Sequence, residues 1–149
     1  MVLLPLLGIS KEQLRLNEVQ FVGSHNSYKQ KMPFYYFWTL RLLDRDSAKA
    51  LEYWHPPLLE QLELGLRKLE LDLFYDPSSG EFPVGHIQVI DMETSCTSLR
   101  ACLWEIRRWS VRNPHHVPIW ISFNLKDQAI PLLPNPQLFT PEALTNIDL

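Results

Sequence analysis

Polar residues able to do chemistry gather where candidate strands end. His25 and Asn26 follow one β-type run, Glu70 and Asp72 sit within a second, and Asn124 closes a third. In parallel α/β folds, and in (β/α)8 barrels especially, the C-terminal strand ends build the active site. Glu70 and Asp72 are the most informative pair. Side chains two apart on a strand share a face, so Leu69, Leu71 and Leu73 point the other way, toward covering helices. Two carboxylates on an inward face are costly without a counter-charge. A hard cation such as Ca2+, or Mg2+ as the alternative, resolves that cost because both take oxygen ligands. The plainer reading is a solvated strand face with Arg67 or Lys68 as partner, and for an isolated E-x-D that reading wins.

His25 and His86 could work as a pair, one as general base and one as general acid, because imidazole titrates near neutral pH. Taken singly, each reads as a hydrogen-bonded structural histidine. His55, between Trp54 and two prolines, reads as structural, and His115 and His116, in a loop after a helix, read as solvated. Without cysteines at zinc spacing no zinc site is expected. The chain has no Gly-rich phosphate loop, no G-x-S-x-G elbow and no signature around a cysteine nucleophile. Cys96 and Cys102 are six apart. Within one helix that is ~9 Å along the axis, beyond the ~7 Å reach of a disulfide. Spacing alone therefore favours two free thiols, and a bridge needs Cys96 outside the helix with the chain folding back.

The elements that must position these residues follow from periodicity. Glu18 to Gly23 reads as a short strand running into the polar turn Ser24 to Tyr28. An aromatic block, Phe34 to Trp38, either packs as core or forms a ridge that dips into a membrane interface; core packing is the first expectation. Asp44 to Trp54 reads as a helix. His55-Pro56-Pro57 breaks it, and Leu58, Leu59, Leu62 and Leu66 define an amphipathic helix with Gly65 as C-terminal cap. Period two then takes over through Leu69, Leu71 and Leu73. Asp76 to Gly80 is a turn, and Val84 to Ile90 a further β-type run. Ser95 or Thr97 caps a long helix ending near Asn113-Pro114, with a stripe of Leu99, Leu103, Ile106 and Trp109. Val117 to Phe123 is an apolar strand, and Thr140-Pro141-Glu142 starts another helix. Strands alternating with helices predict a parallel sheet with helices around it.

Composition agrees. Among 149 residues 46% are hydrophobic and 21% charged, as in an ordinary globular domain with a real core. A net charge of −3 argues against a nucleic-acid partner. No apolar run reaches the ~18 residues of a membrane span. The apolar start, MVLLPLLGI, lacks the basic residues and cleavage site of a signal peptide and reads as a short strand or lid.

Three motifs in order carry a resemblance: V-G-S-His25-Asn26-S-Y, then H-P-P-L-x-E-Q-L-x-x-G-x-R-x-L-Glu70-x-Asp72, then G-His86-I-Q-V-I-D. Together with C-T-S-L-R-A-C-L and W-x-V-R-N-P-H-H-V-P-I-W-I, they resemble the calcium-dependent phosphoinositide phospholipase C group, of microbial type, within the phosphatidylinositol-specific phospholipase C superfamily. The resemblance runs from about Leu16 to Asp127. It implies a TIM-type (β/α)8 barrel of the phospholipase-C-like phosphodiesterase kind. Such barrels take ~250 residues, 200 at the small end, so residues 1–149 are expected to be a single partial domain, the N-terminal portion, with about three of the eight strands.

The resemblance also implies roles. His25 and His86 match the two catalytic histidines, and Asn26, Glu70 and Asp72 match metal ligands. The remaining ligand is usually a glutamate, and Asn124 holds its place. An Asn carbonyl still coordinates Ca2+, with one negative charge fewer and a weaker affinity expected. The cysteines resemble a bridged pair, which raises the expectation of a disulfide and of a secreted, oxidising location. The implied substrate is a phosphoinositide or related phosphodiester lipid met at a peripheral membrane surface. Two rivals stand beside this reading. A glycerophosphodiester phosphodiesterase shares the E-x-D barrel but usually has His-Arg-Gly where this chain has His25-Asn26-Ser27. A non-catalytic lipid-binding or partner-binding module would fit Asn124 and a partial barrel.

Overall fold

The computed structural model describes residues 15–145 and 147; the expectation for the apolar MVLLPLLGI segment lies outside them. The order of elements is α1 (Phe34–Leu43), α2 (Arg45–Leu51), α3 (Leu58–Glu63), β1 (Lys68–Leu73), α4 (Leu99–Arg112), β2 (Trp120–Leu125) and α5 (Pro141–Thr145). β1 and β2 pair in parallel, with Glu70 opposite Ser122 and Asp72 opposite Asn124. α4 is the crossover between them. The expected alternation of strand and helix is present, but the described residues form a two-stranded sheet rather than a closed barrel.

The period-two leucines fix which face of β1 is inside. Leu69, Leu71 and Leu73 are all fully buried, against Leu58 and Leu62 of α3 and Leu99, Cys102, Ile106 and Trp109 of α4. The Trp109 indole N–H reaches Glu63 Oε1 at 2.8 Å, and the Arg67 guanidinium lies 4.4 Å above the Trp109 ring. These contacts tie α3, α4 and the start of β1 together. Ser98, rather than Ser95 or Thr97, caps α4: its hydroxyl accepts from the Ala101 N–H at 3.3 Å.

Cys96 lies just before α4, so the geometric objection to a bridge does not apply. Cys96 and Cys102 form a disulfide across a Cα–Cα distance of 5.1 Å, inside the usual range. The expectation of free thiols is overturned, and the pairing implied by resemblance is the one found.

Two β-type runs do not become strands. The Glu18–Gly23 run holds only a parallel bridge from Gly23 to Lys68. It lies along the edge of β1 opposite β2: the Val22 carbonyl accepts from Arg67 and Lys68, and the Lys68 carbonyl accepts from Ser24 at 3.2 Å. The polar turn from Ser24 then ends the ladder. The Val84–Ile90 run pairs once with β1, Val84 to Leu73 in antiparallel sense, and turns back on itself where Ile87 meets Asp91. Val89, in the left-handed region at φ 68°, makes that reversal.

The aromatic block is helical and outward. α1 buries none of its residues, with Phe34 75% exposed and Trp38 45%. Core packing is thereby excluded for this block. A second helix follows Asp44, whose carboxylate caps α2 by accepting from the backbone of Asp46 and Ser47. α2 ends at Leu51, so Tyr53 and Trp54 lie beyond it.

Candidate active site

The turn carrying His25 and Asn26 is clamped to β1. The Ser27 N–H donates to the Glu70 carbonyl at 3.0 Å, and the Ser27 hydroxyl accepts from the Glu70 N–H at 2.8 Å. Buried Gln61 of α3 holds the turn from below. Its amide donates to the carbonyls of Ser27 at 2.6 Å and Pro56 at 2.7 Å, and accepts from the Ser24 hydroxyl at 2.6 Å. Asn26 sits at φ 49°, a conformation asparagine tolerates better than most residues. His55 has the structural role expected of it: its Nε2 donates to the His25 carbonyl at 2.8 Å.

This clamp sets His25 and Asn26 beside Glu70. The His25 side chain is 71% exposed, with Nε2 4.0 Å from Glu70 Oε2 and its ring stacked on Tyr53. Asn26 is buried. Its amide donates to the Tyr53 hydroxyl at 2.7 Å, and its Oδ1 is buried with no partner among the described residues. Asp72 is also buried. Its Oδ1 accepts from the Asn124 amide at 3.2 Å. Lys126 Nζ stands 3.0 Å from Oδ2, an ion pair whose angle falls outside hydrogen-bond geometry.

The counter-charge is therefore Lys126. Arg67 does not provide it, since its guanidinium bonds the carbonyls of Leu62 and Leu66. The solvated-face reading fails at Asp72 and holds only in part at Glu70, whose side chain is 20% exposed. Asn124 lies inside β2 rather than closing it.

His86 joins through the backbone. The Gly85 N–H donates to the Asp72 carbonyl at 3.3 Å, which pins the His86 loop to the end of β1. His86 Nδ1 meets Asp91 Oδ2 at 2.7 Å. The carboxylate only accepts, so the proton sits on Nδ1. His115 and His116 lie elsewhere, at the end of α4. His116 is not merely solvated: it bonds the Ser110 hydroxyl at 2.7 Å and the Val117 carbonyl at 2.6 Å.

Tyr53 is the hub that sequence reasoning missed. Burial raises the pKa of its phenol; the Asn26 hydrogen bond works against this, while the charges of Asp91, Asp72 and Glu70 add to it. Burial first, then the charge of Asp72, pushes the Tyr28 phenol far above its ordinary value. Both stay protonated at neutral pH, so neither is an available base.

The donors around Asp72 suit a hard cation. The expected ligands carry oxygens, two carboxylates, the unpartnered Asn26 Oδ1 and the Asn124 side chain, although Asn124 turns its amide N–H, not its carbonyl, to Asp72. Among the described residues no three His, Cys, Asp or Glu side chains converge as a metal cluster. Any cation here would lean on amide oxygens and would meet Lys126 as a competitor for Asp72.

A family model described as phosphoinositide phospholipase C, Ca2+-dependent, matches residues 14–85 and 81–149. The chain belongs to this family. Comparison with curated proteins and with solved structures gave no match. The two matched segments take in His25, Asn26, Glu70, Asp72, His86 and Asn124 alike. Membership carries with it a phosphoinositide phospholipase C-related function, and the family's description names dependence on Ca2+.

Proposed function

We propose that this chain carries the catalytic strand ends of a phosphodiesterase that cleaves phosphoinositide lipids to diacylglycerol and cyclic inositol phosphate. The observation that carries the reading is the convergence on β1. The turn carrying His25 and Asn26 is clamped to Glu70, Asp72 lies two residues further along β1, and Gly85, next to His86, donates its N–H to the Asp72 carbonyl. The chain would then be the N-terminal part of a phospholipase barrel.

The reaction needs a base, an acid and charge stabilisation. The inositol 2-hydroxyl loses its proton to His25 and attacks phosphorus. The P–O bond to diacylglycerol breaks, and His86 Nε2 delivers a proton to the departing oxygen. Water then opens the cyclic diester. The attack is intramolecular, so positioning contributes heavily. Glu70, 4.0 Å from the His25 ring, stabilises the imidazolium formed in the first step. Bound Ca2+, held by Asn26, Glu70, Asp72 and Asn124, would lower the pKa of the attacking hydroxyl and screen the phosphoryl charge.

The exposed aromatics of α1 support contact with a membrane surface, with Arg41 beside Trp38 able to meet lipid phosphate. No described helix is long and apolar enough to cross a membrane. The disulfide supports a secreted or otherwise oxidising location.

A second reading has its own observation. Lys126 on Asp72, with Asn124 where an acid is usual, favours a non-catalytic lipid-binding module. One experiment separates the two: turnover of phosphatidylinositol vesicles with and without Ca2+ by the natural gene product and its His25→Ala and His86→Ala variants. The catalytic reading expects each variant to lose at least about 100-fold. Vesicle binding with no turnover by the wild type would establish the second reading. Full activity in either variant would remove the role given to that histidine.

A further inference from the structure

Behind His86 lies a buried ion pair that the reaction above does not use. Lys29 and Asp91 are both fully buried. Lys29 Nζ donates to Asp91 Oδ1 at 2.9 Å and to the carbonyls of Leu51 at 3.2 Å and Gln30 at 3.4 Å. Its three protons are thus all engaged, which leaves none for a substrate. Asp91 is likewise engaged through both oxygens, Oδ1 on Lys29 and Oδ2 on His86. The loop is rigid in its own right: the amides of His86 and Ile87 both donate to the Asp91 carbonyl, and the Asp91 amide donates back to Ile87. Ring and carboxylate are therefore held on one closed turn.

We propose that Asp91 and Lys29 are positioning residues for His86: Asp91 fixes its tautomer and Lys29 keeps its proton exchangeable. The inference rests on the general-acid role of His86. With Nδ1–H committed to Asp91, Nε2 is the nitrogen that gives up and regains a proton at the substrate. A lone buried carboxylate beside the ring would hold the imidazolium too firmly to release its proton. The Lys29 ammonium on the other oxygen offsets that pull. Tyr28 and Tyr53, which feel the Asp91 charge, stay protonated; Asp72, engaged with Lys126, acts on both phenols and Glu70 on Tyr53.

The two charges act on His86 with opposite sign. Asp91→Asn leaves a buried ammonium that disfavours the imidazolium, so the basic limb of the kcat profile moves to lower pH. Lys29→Met leaves a bare carboxylate, so the limb moves to higher pH. Each shift is expected to be about one pH unit. A purely structural role would move neither limb.

The test uses histidine-labelled natural gene product, with nitrogen NMR of His86 beside the pH profiles. The wild type is expected to show the Nδ1–H tautomer, and the variants opposite shifts in the His86 titration. An Nε2–H tautomer, or shifts of the same sign, overturns the proposal. Lys29→Met can fail to fold; the double variant Asp91→Asn/Lys29→Met removes both charges together, and its His86 should titrate close to the wild-type value. A large shift there contradicts the proposal. If His86→Ala keeps full turnover, the general-acid role fails, while the tautomer and titration still report on the pair.

Discussion

The Lys126 ammonium stands 3.0 Å from Asp72 Oδ2, and in the proposed reading the Ca2+ named in the family's description would have to share that carboxylate. Lys126→Met is expected to tighten Ca2+ binding by about tenfold, since removing a like charge at this range is worth a few kcal/mol before solvent screening. Asn124→Glu should act in the same direction by restoring a negative charge. Calorimetric titration with CaCl2 checks both, and unchanged or weaker affinity in Lys126→Met would show that Lys126 is no competitor. The shared face of Glu70 and Asp72 was legible from period two alone. Lys126 was within reach of the same rule, two past Asn124 where β2 runs out. Tyr53 and Asp91 were not legible. Tyr53 reads as a helix residue until the helix is seen to stop at Leu51, and Asp91 is brought to His86 by a loop whose sequence looks like a strand.

At the scale of elements, close approach governs. A Cβ on Gly23 would come within 2.6 Å of the Lys68 Cβ and 2.7 Å of its carbonyl oxygen. Gly23→Ala must therefore push the His25 turn away from β1, and turnover is expected to fall more than stability. A melting temperature that drops while turnover per folded molecule holds would contradict this. Ser98→Ala removes the α4 cap and should cost about 1 kcal/mol in urea unfolding. The pKa of Asp44 is held below its ordinary value by hydrogen bonds, foremost from Ser47. A group depressed in this way stabilises the fold above its unfolded pKa and loses that contribution as pH falls through the folded value. The amides of α2 should therefore lose exchange protection in acid, and those of Asp44→Asn should not. Helices α3, α4 and α5 and both strands were legible from spacing and caps. The two failed strands show the limit: a β-type run needs a partner along its length, and these runs each find one bridge before a turn. α1 was misread because its aromatics circle the helix, so no single stripe marks an inner face.

For the whole molecule, the parallel β1–α4–β2 unit is what the strand and helix alternation foretold, and the described residues pair two strands rather than forming the barrel that the resemblance implies. Val22 on one side and β2 on the other flank β1. The Cys96–Cys102 bridge closes a short loop onto α4, and Cys96→Ser/Cys102→Ser is expected to cost about 2 kcal/mol. The spacing points wrongly to free thiols, because a six-residue interval forbids a bridge only when both cysteines are helical, and Cys96 precedes α4. The proposed activity depends most directly on chemistry at His25 and His86. Phosphorus NMR of phosphatidylinositol vesicles with the natural gene product and Ca2+ is the decisive measurement. A cyclic inositol phosphate signal that grows with Ca2+ and vanishes in His25→Ala and His86→Ala is the expected result. Bound vesicles with no cyclic product at any Ca2+ concentration would contradict it.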